Sequence, residues 1–394
     1  MMTARGTSTD TPLIPPMVNL GPEVDVLRAE VRDFLAEELA AERFEPHCDA
    51  WLSGWDAGFS RRLGERGWLG MTIPREYGGH GRSSLERYAV TEELLAAGAP
   101  VAAHWVADRQ TAPSLLRYGS DALKRRYLPA IARGECFFAI GLSEPDAGSD
   151  LAAVRTRAVH RDGGWELNGT KVWTSGAHQA HAFFVLARSS PIDVADRHAG
   201  LSQFLVGLSS PGVTVRPIRM TSGEHHFNEV LLDSVFVPDD AVIGAIGAGW
   251  QQVTSELAFE RSGPERFLST FPLLVAVVDH LSAKDIPCDS TRELGELIAR
   301  LWTLRQMSLA VAGALAGGEA PDVAAALVKD LGTRLECDVI DTARLLVHTE
   351  PDLSSGERLP RLLAEAVAHA PGFTLRGGTN EILRGVVARA LGMR

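Results

Sequence analysis

The chain has 394 residues, of which 45% are hydrophobic, and a formal net charge of −11. This length is enough for two or three domains with a sizeable buried core. The acidic balance argues against nucleic acid and anionic membrane surfaces as main partners. The cysteines have no CxxC pair and no zinc-ligand spacing, which is typical of separate thiols in a reducing cytoplasm. They are Cys48, Cys136, Cys288 and Cys337.

Residues 1–22 are predicted to form a disordered tail rich in Thr and Pro. This segment has no basic stretch followed by an apolar one, so no signal peptide is predicted. Apolar runs elsewhere, such as Leu273 to Val278, are far too short to span a bilayer. We therefore expect a cytoplasmic protein.

Residues 23–135 are predicted to form an N-terminal α-helical domain. Apolar residues recur at spacings of three and four between Val24 and Leu39, which indicates an amphipathic helix. Ser83 and Glu86 form a capping-box pattern before an Ala- and Leu-rich run. Asp121 is the predicted cap of a further helix.

Residues 136–241 are predicted to form a middle β domain, because short apolar runs here are separated by turn signals. The pairs Asp162-Gly163 and Asn168-Gly169 are typical of hairpins and flank a predicted strand at Trp165 to Leu167. Further strands are predicted at 182–187, 201–208, 213–218 and 229–237.

Helical patterns return after Gly249, and residues 242–394 are predicted to form a C-terminal helical bundle. The order of helices, then strands, then helices indicates an α+β fold and not alternating βαβ units. The predicted helices cover 250–261, 294–315, 323–349, 359–370 and 380–391, with a loop at 352–357.

Several common enzyme classes lack their sequence signatures here. No GxGxxG follows a strand, and neither GxxxxGK[ST] nor GxSxG occurs. His178 and His181, or the adjacent His225 and His226, could ligate a metal. No carboxylate or cysteine pattern accompanies them, so they are interpreted as polar residues at strand ends, and no metal site is predicted.

Two stretches in the middle of the chain have the composition of a ligand site. Residues 142–150 (LSEPDAGSD) form a tight polar loop with serine hydroxyls and backbone N–H groups that can donate. Residues 169–176 (GTKVWTSG) place Trp173 between polar residues, where it could stack on a planar ring. The alternative is that Trp173 is a core residue of a strand.

A third stretch, 250–261, places Glu260 on the same helix face as Trp250, Val253 and Leu257. Burial there would raise the pKa of the Glu260 carboxyl, which suits a general base near neutral pH. The alternative is a surface ion pair at the edge of the apolar stripe. Gly263-Pro264 follows, so the helix is expected to kink or restart.

Residues 373–384 (FTLRGGTNEILR) place a Gly-Gly-Thr run at a predicted helix start. Glycine has no side chain and a helix start has unsatisfied N–H groups, so a ligand can approach the backbone closely.

In this order, four motifs resemble those of the acyl-CoA dehydrogenase family, and the resemblance covers nearly the whole chain from about residue 23. They are GWLG at 67–70 with PREYGG at 74–79, LSEPDAGSD at 142–150, GTKVWTS at 169–175 and GGTNEI at 377–382. The resemblance implies an N-terminal helical domain, a middle β-barrel or sandwich domain and a C-terminal four-helix bundle, with FAD between the last two.

The same resemblance implies an oxidoreductase of lipid and fatty acid metabolism that acts on CH–CH groups. It would convert an acyl-CoA thioester to the 2-enoyl-CoA, with electron-transfer flavoprotein as electron acceptor. Trp173 would pack on the isoalloxazine, Ser175 would hydrogen-bond near flavin N5, and the Gly377 N–H would polarise the thioester carbonyl. The residues implied to contact FAD or CoA are Leu142, Ser143, Gly148, Ser149, Trp173, Ser175, Gly378 and Thr379.

Many family members carry the catalytic Glu directly before the Gly-Thr of the C-terminal motif, where this chain has Gly377. A subset that includes isovaleryl- and long-chain-type enzymes places it on the first helix of the C-terminal domain, before an Arg. Glu260-Arg261 matches that arrangement. By resemblance, Glu260 is the base that removes the α-proton while hydride passes to flavin N5, and Arg261 orients or tunes it.

Two family segments that hold FAD across a subunit interface are missing: R-x-x-F-G, absent after Arg266, and Q-x-x-G-G-x-G. Either other residues of this chain replace these segments and bind FAD in a homo-oligomer, or a partner chain supplies them and completes the site in an α2β2 heterotetramer. A flavin oxidase or monooxygenase on the same scaffold is the other alternative. His104, Trp105, Asp108 and Arg109 border the acyl pocket in relatives and favour an acyl group other than a straight chain.

Overall fold

The computed structural model describes residues 13–260, 262–283 and 288–393, without the side chains of 255–260, 288 and 289. Within this part of the chain, no helix is long and apolar enough to cross a membrane. The predicted tail lies mostly outside the described residues.

The segment before residue 136 is helical, and a π-helical segment, Ala107–Thr111, interrupts it. Such segments are rare and often occur at functional sites. The helices are α1 (Pro22–Ala40), α2 (Ala50–Ser53), α3 (Ala57–Glu65), α4 (Ser84–Ala96), α5 (Ala102–Val106), α6 (Ala112–Tyr118) and α7 (Asp121–Ala132).

The helix starts follow capping chemistry. The predicted capping box is confirmed: Ser83 Oγ accepts from the Glu86 N–H, and Glu86 Oε2 accepts from the Ser83 N–H. The predicted cap Asp121 is wrong. Ser120 has the extended backbone of an N-cap and accepts from the Leu123 N–H, so Asp121 is the first helical residue and pairs with Arg125.

The middle of the chain forms one mixed sheet, with strand order β6-β7-β3-β2-β4-β5-β8 and β1 pairing with β4. The predicted strands are all present, whereas β1, β2 and β8 were not predicted. Each of those three strands has at most five residues, too few to establish a period. The strands are β1 (Phe138–Gly141), β2 (Arg157–Arg161), β3 (Gly164–Lys171), β4 (Ala182–Arg188), β5 (Leu201–Gly207), β6 (Val213–Arg219), β7 (His225–Pro238) and β8 (Val242–Ile243).

The two predicted hairpin pairs have different outcomes. Asp162-Gly163 is confirmed, since it joins the antiparallel strands β2 and β3. Asn168-Gly169 is wrong as a turn: it lies inside β3, where the register against β7 shifts. A side chain at Gly169 would meet Thr156 Oγ1 at 2.3 Å, so close packing against the β2 side explains this glycine.

Helices return after the sheet, and the expected break at Gly263-Pro264 is confirmed by a 3-10 turn at Pro264–Arg266. Helix α9 was not predicted, because its apolar residues form a continuous run and not a periodic one. The helices are α8 (Gly249–Glu260), α9 (Phe271–Ser282), α10 (Cys288–Ala316), α11 (Asp322–Leu346), α12 (Arg358–Phe373) and α13 (Asn380–Ala390).

The first and last parts of the chain share one apolar core. Phe34 of α1 and Phe59 of α3 belong to the same buried cluster as Val277 of α9 and Leu362 of α12. A second cluster joins α6 and α7 to the sheet. The predicted α+β class is confirmed, and the packing brings residues of all three regions together near the turn between α12 and α13.

Candidate active site

The polar loop 142–150 is held by a buried ion pair. Glu144 accepts from Lys171 Nζ at 2.8 Å and from the backbone N–H groups of Thr156 and Arg155 at 2.9 and 2.6 Å. Lys171 is 0% exposed and also donates to the Leu142 carbonyl at 3.1 Å. One carboxylate and one ammonium thus fix the loop against the end of β3.

Burial affects the pKa values of both partners. It lowers the pKa of Lys171 to about 8, against the attraction of Glu144. Burial also opposes the Glu144 charge, but Lys171 and the N–H donors hold the pKa of that carboxyl below its usual value. The pair is therefore charged near neutral pH, and removing one partner would leave the other charge buried alone.

Trp173 is not a core residue. Strand β3 ends at Lys171, and Trp173 is 58% exposed with a left-handed φ of 58°. That conformation costs a bulky residue about 1–2 kcal/mol, so the surrounding structure must impose it. Trp173 packs edge-on against Phe227 at 5.7 Å, which leaves much of its ring for a bound group.

The backbone after Trp173 is fixed on β7. Thr174 N–H donates to Asn228 O at 3.0 Å, and Gly176 N–H donates to His226 O at 2.7 Å. Ser175 lies between them, half-buried. Loop 142–150 joins the same place, since Val172 N–H donates to Ser143 O at 2.9 Å.

Polar atoms near Trp173 are buried without a hydrogen-bond partner in the described part of the chain. They are Thr174 Oγ1 and both ring nitrogens of His226, a residue that is 6% exposed. Buried polar atoms are normally paired, so these atoms fit contact with a polar bound group. An exposed aromatic ring beside such donors and acceptors fits the flavin of FAD. From the sequence, His226 was interpreted only as a polar residue at a strand end, because its only visible signal was the neighbouring His225.

The turn between α12 and α13 has two glycines in left-handed conformations, Gly377 at φ 67° and Gly378 at φ 87°. A Cβ at Gly377 would lie 2.7 Å from a guanidinium nitrogen of Arg266, which is 0% exposed. A side chain at Gly377 would therefore be strained by the left-handed backbone and would have to displace the Arg266 guanidinium. Thr379 caps α13 by accepting from the Ile382 N–H.

Lys329 of α11 holds one side of this turn. Its ammonium donates to Asn380 Oδ1 at 2.6 Å and to the Thr374 carbonyl at 3.1 Å. Burial lowers the pKa of Lys329 to about 7, and the nearby cations Arg266 and Arg376 add to this. The sequence did not identify Lys329, since a single Lys in a helix carries no signal.

Asp49 holds the other side through Arg376. Its two oxygens accept from the Arg376 guanidinium at 2.5 and 2.7 Å, and one also contacts His369 Nδ1 at 3.1 Å. His369 Nε2 lies 2.5 Å from Glu224 Oε2. This set, Asp49, Glu224, His369 and Arg376, is called the three-region cluster below, because it joins the N-terminal helices, the sheet and the C-terminal helices.

The charges of this cluster support one another. Burial opposes the charge of His369, but its hydrogen bonds to Asp49 and Glu224 raise the pKa of His369 to about 9. The hydrogen bond from His369 is the main cause that lowers the pKa of Glu224 to about 2. The pKa of Asp49 is also below its usual range, since Arg376 and His369 outweigh burial. All four groups are charged at neutral pH.

The predicted base lies at the limit of the described structure. Glu260 is the last residue of α8, but its side chain, together with Arg261, lies outside the described residues. On the preceding turns Val253 is buried and Trp250 stacks on His198 at 4.0 Å. The structure thus joins the predicted residues at 142–149 and 173–175, and places those at 377–379 on a separate turn.

The residues expected beside the acyl pocket are engaged within the N-terminal helices and the 3-10 turn. His104 contacts Ser60 Oγ at 2.8 Å, and Asp108 accepts from the Gly70 N–H at 2.7 Å. Arg109 stacks on Trp105 at 4.5 Å and pairs with Glu265 at 3.2 Å. These charges are compensated inside the protein, so they do not by themselves specify a charged substrate.

The other candidates have ordinary surroundings. His178 and His225 stack on each other at 3.9 Å, and His181 accepts from the Phe137 N–H. In the described part of the chain, no three His, Cys, Asp or Glu side chains form a metal-binding group. Cys48, Cys136 and Cys337 are free thiols.

Comparison with known proteins agrees with this architecture. Models of the N-terminal, middle and C-terminal domains of acyl-CoA dehydrogenases match residues 21–135, 139–235 and 289–392. The acyl-CoA dehydrogenase FadE29 of Mycobacterium tuberculosis is 33% identical, with 94% of this chain and 97% of that protein covered. The chain belongs to the acyl-CoA dehydrogenase family.

Other relatives and solved structures extend this result. The chain is 35% identical to acyl-CoA dehydrogenase IpdE1 of M. tuberculosis over 94% of this chain and 98% of that one. It is 34% identical to FadE34 of the same organism, but spans only 45% of that protein's length while 84% of this chain is covered.

Among structures, the Tcur3481-Tcur3483 steroid ACAD superposes with a TM-score of 0.85 at 30% identity, covering 95% of this chain and 99% of that one. The ChsE4-ChsE5 complex from M. tuberculosis gives 0.82 at 28% identity, covering 96% and 99%.

The expected family, fold, cofactor and reaction class are thereby confirmed. The enzyme is an oxidoreductase of lipid metabolism that carries out FAD-dependent dehydrogenation of acyl-CoA. The comparisons do not favour the oxidase or monooxygenase alternative. They leave the catalytic residues and the domain boundaries as predictions.

Replacement of Glu144 by Gln tests the buried pair that holds loop 142–150. We expect a loss of about 3–5 kcal/mol in the free energy of unfolding, because the Lys171 ammonium would stay buried without a counter-charge. Denaturant unfolding measures this loss. The control is Asp146→Asn, which removes an exposed partner of Arg155 and should cost at most about 0.5 kcal/mol. Equal effects of the two variants would contradict the interpretation.

The three-region cluster predicts a pH dependence of stability. The pKa of His369 is raised from 6.5 to about 9 on folding, so its contribution is complete below pH 6.5 and is lost as pH rises through 9. The charged and titratable groups that face it are Asp49, Glu224, His226 and Arg376.

The measurement is urea unfolding between pH 6 and 10 for the unmodified protein and for His369→Gln. We expect the difference between the two proteins to shrink as pH rises. A difference that does not change over this range would show that the protonation of His369 is not coupled to folding.

Proposed function

We propose that Glu260 is the general base of the dehydrogenation and that Arg261 orients or tunes it. The observation that carries this proposal is that Gly377 has no side chain, a left-handed backbone and the Arg266 guanidinium beside it, so the C-terminal turn supplies no base at this position. Glu260 ends α8, six residues before Arg266 in the chain, and the Arg266 guanidinium lies against Gly377. A carboxylate in a site that excludes water is suited to remove an acidic α-proton.

The other predicted residues keep the roles that the family resemblance implies. FAD, when bound, supplies the hydride acceptor. Leu142, Ser143, Gly148 and Ser149 would hold FAD or CoA. Trp173 and Ser175 would hold the isoalloxazine, Gly378 and Thr379 would contact the cofactor, and the Gly377 N–H would stabilise negative charge on the thioester oxygen. The division into a tail and three domains at 23–135, 136–241 and 242–394 belongs to the same proposal.

The substrate is proposed to carry a bulky, ring-containing acyl group. Support comes from the 30% identity to the steroid ACAD over nearly the full length of both chains. The compensated charges of Asp108 and Arg109 agree with an acyl group that has no charge of its own.

Anaerobic titration with CoA thioesters tests the base. We expect Glu260→Gln to keep bound FAD but to reduce it about 10²- to 10⁴-fold more slowly than the unmodified enzyme, because the α-proton has no acceptor. Butanoyl-CoA, palmitoyl-CoA and the CoA thioester of a steroid side-chain acid are compared, and the last should react fastest. The control is Glu296→Gln, an exposed carboxylate of α10, which should react normally.

Full-rate reduction of Glu260→Gln would reject Glu260 as the base, and faster reaction of palmitoyl-CoA would reject the proposed acyl class. Oxygen consumption equal to substrate turnover would favour the oxidase alternative over the predicted acceptor, electron-transfer flavoprotein.

We also propose a heteromeric assembly in which a second chain of the same family completes the FAD site. The missing R-x-x-F-G and Q-x-x-G-G-x-G segments support this, as does the similarity to the ChsE4-ChsE5 complex. A cytoplasmic location, as the scattered thiols suggest, is part of this proposal and can be checked by cell fractionation.

Absorbance of the chain purified alone tests the assembly. We expect well below one FAD per chain, because the groups for the pyrophosphate and adenosine are missing, and recovery of FAD on co-expression with a partner chain of the family. A yellow homo-oligomer with one FAD per chain would contradict the proposal.

A further inference from the structure

The turn 374–380 is held on both sides by buried charged groups from distant parts of the chain. Lys329 binds the Thr374 carbonyl and the Asn380 side chain. Asp49, more than 300 residues away in sequence, binds Arg376 with two hydrogen bonds. Gly377 lies directly after Arg376, so this ion pair acts next to the backbone that the family resemblance assigns to the thioester.

Asp49 is itself rigidly placed. It is 1% exposed and adopts a left-handed backbone conformation, with φ 56°. Its N–H donates to the Ser269 carbonyl at 2.8 Å, which ties it to the segment before α9. Ser269 in turn donates its N–H to Glu336 of α11 at 2.8 Å. The carboxylate therefore has a fixed position relative to the C-terminal helices, although it belongs to the N-terminal region.

Arg376 is fixed in orientation as well as in position. Its guanidinium stacks on Trp51 at 4.4 Å and lies 5.0 Å from the ring of Phe373. One of its nitrogens also donates to Ser269 Oγ at 3.3 Å. A planar guanidinium with a bidentate carboxylate and a stacked ring has little rotational freedom.

We propose that Asp49 and Arg376 are positioning residues for acyl-CoA dehydrogenation, and that they hold Gly377 where its backbone meets the thioester. The N-terminal region thereby sets the geometry of a turn in the C-terminal region. The inference rests on the proposed role of Gly377, and Asp49 and Arg376 touch neither substrate nor cofactor in this account.

Stability alone does not explain the pair. Well-packed apolar residues often replace a buried ion pair without loss of stability. A bidentate pair, by contrast, fixes a direction, and a displacement of about 1 Å at a reacting group can cost 10²-fold in rate. The pair therefore contributes most where a short glycine turn, with no side chains to pack, must keep one conformation.

The test combines amide hydrogen exchange with kinetics on Asp49→Asn and Arg376→Gln. Asn keeps the shape of Asp and tolerates the left-handed conformation, so Asp49→Asn removes mainly the charge. The control is Arg384→Gln. It breaks the ion pair between Arg384 of α13, the helix that follows the turn, and Asp330 of α11. If either variant fails to fold, Arg376→Lys replaces it, because Lys keeps the charge but loses the planar fork.

We expect exchange of the peptide covering 374–380 to become at least about 10-fold faster in both variants, with the rest of the chain unchanged. In the assembled, FAD-loaded enzyme, kcat should fall about 10- to 100-fold with normal FAD content and a smaller change in KM. The effect of the double variant should be smaller than the sum of the two single effects, since both variants break the Asp49–Arg376 contact. Arg384→Gln should behave as the unmodified protein does.

Unchanged exchange of the 374–380 peptide in a folded variant would overturn the proposal. So would an increase spread evenly over the chain, which is the result for a purely structural pair. The exchange measurement needs no substrate. If no acyl-CoA reduces the FAD of the unmodified enzyme, the proposed function is rejected. The exchange result then decides by itself whether the Asp49–Arg376 pair holds the turn.

Discussion

The contact between Asp49 and Arg376 is the constraint on which the C-terminal part of the site depends. It is bidentate, joins the N-terminal and C-terminal regions of the chain, and sets a carboxylate that is 1% exposed against a largely buried guanidinium. Its geometry determines where the chain lies when it leaves α12 and enters the Gly377-Gly378 turn. His369 and Glu224 extend the same contact to the sheet. The three-region cluster therefore fixes the relative positions of the N-terminal helices, the sheet and the C-terminal helices.

Both halves of the site use a buried lysine to organise a loop. Lys171 binds the Leu142 carbonyl and Glu144, and Lys329 binds the Thr374 carbonyl and Asn380. In each case an ammonium group meets a backbone carbonyl and a side-chain oxygen inside the protein. Such buried hydrogen bonds give each loop a fixed shape without filling the space that a ligand needs.

Much of the fold follows from local sequence. The long helices, the capping box at Ser83 and the hairpin at Asp162-Gly163 were predictable, because periodicity and turn chemistry act over a few residues. The short strands β1, β2 and β8 were not, since none of them has enough residues to establish a period, and β1 and β8 pair with strands that are distant in sequence. Asn168-Gly169 has a turn sequence, but pairing on both sides of β3 and the close approach of Thr156 keep it extended.

Site residues that lie in a recognisable motif could be predicted from the sequence, whereas residues positioned only by tertiary contacts could not. The serines at 143 and 149, Trp173 and the glycine turn lie in recognisable stretches. Asp49, Lys329 and His369 lie in no motif, and their roles arise from contacts with residues far away in sequence. The absence of a base at Gly377 could be predicted from the sequence, whereas the left-handed backbone and the Arg266 guanidinium beside it required the structure.

The most direct test of this account is an experimental structure of the FAD-loaded enzyme, with any partner chain, bound to a non-reactive acyl-CoA analogue. The account predicts that the thioester oxygen lies within hydrogen-bond distance of the Gly377 N–H, that a Glu260 oxygen faces the α-carbon, and that Asp49 still binds Arg376. A thioester placed away from the 377–379 turn, or another carboxylate at the α-carbon, would contradict it.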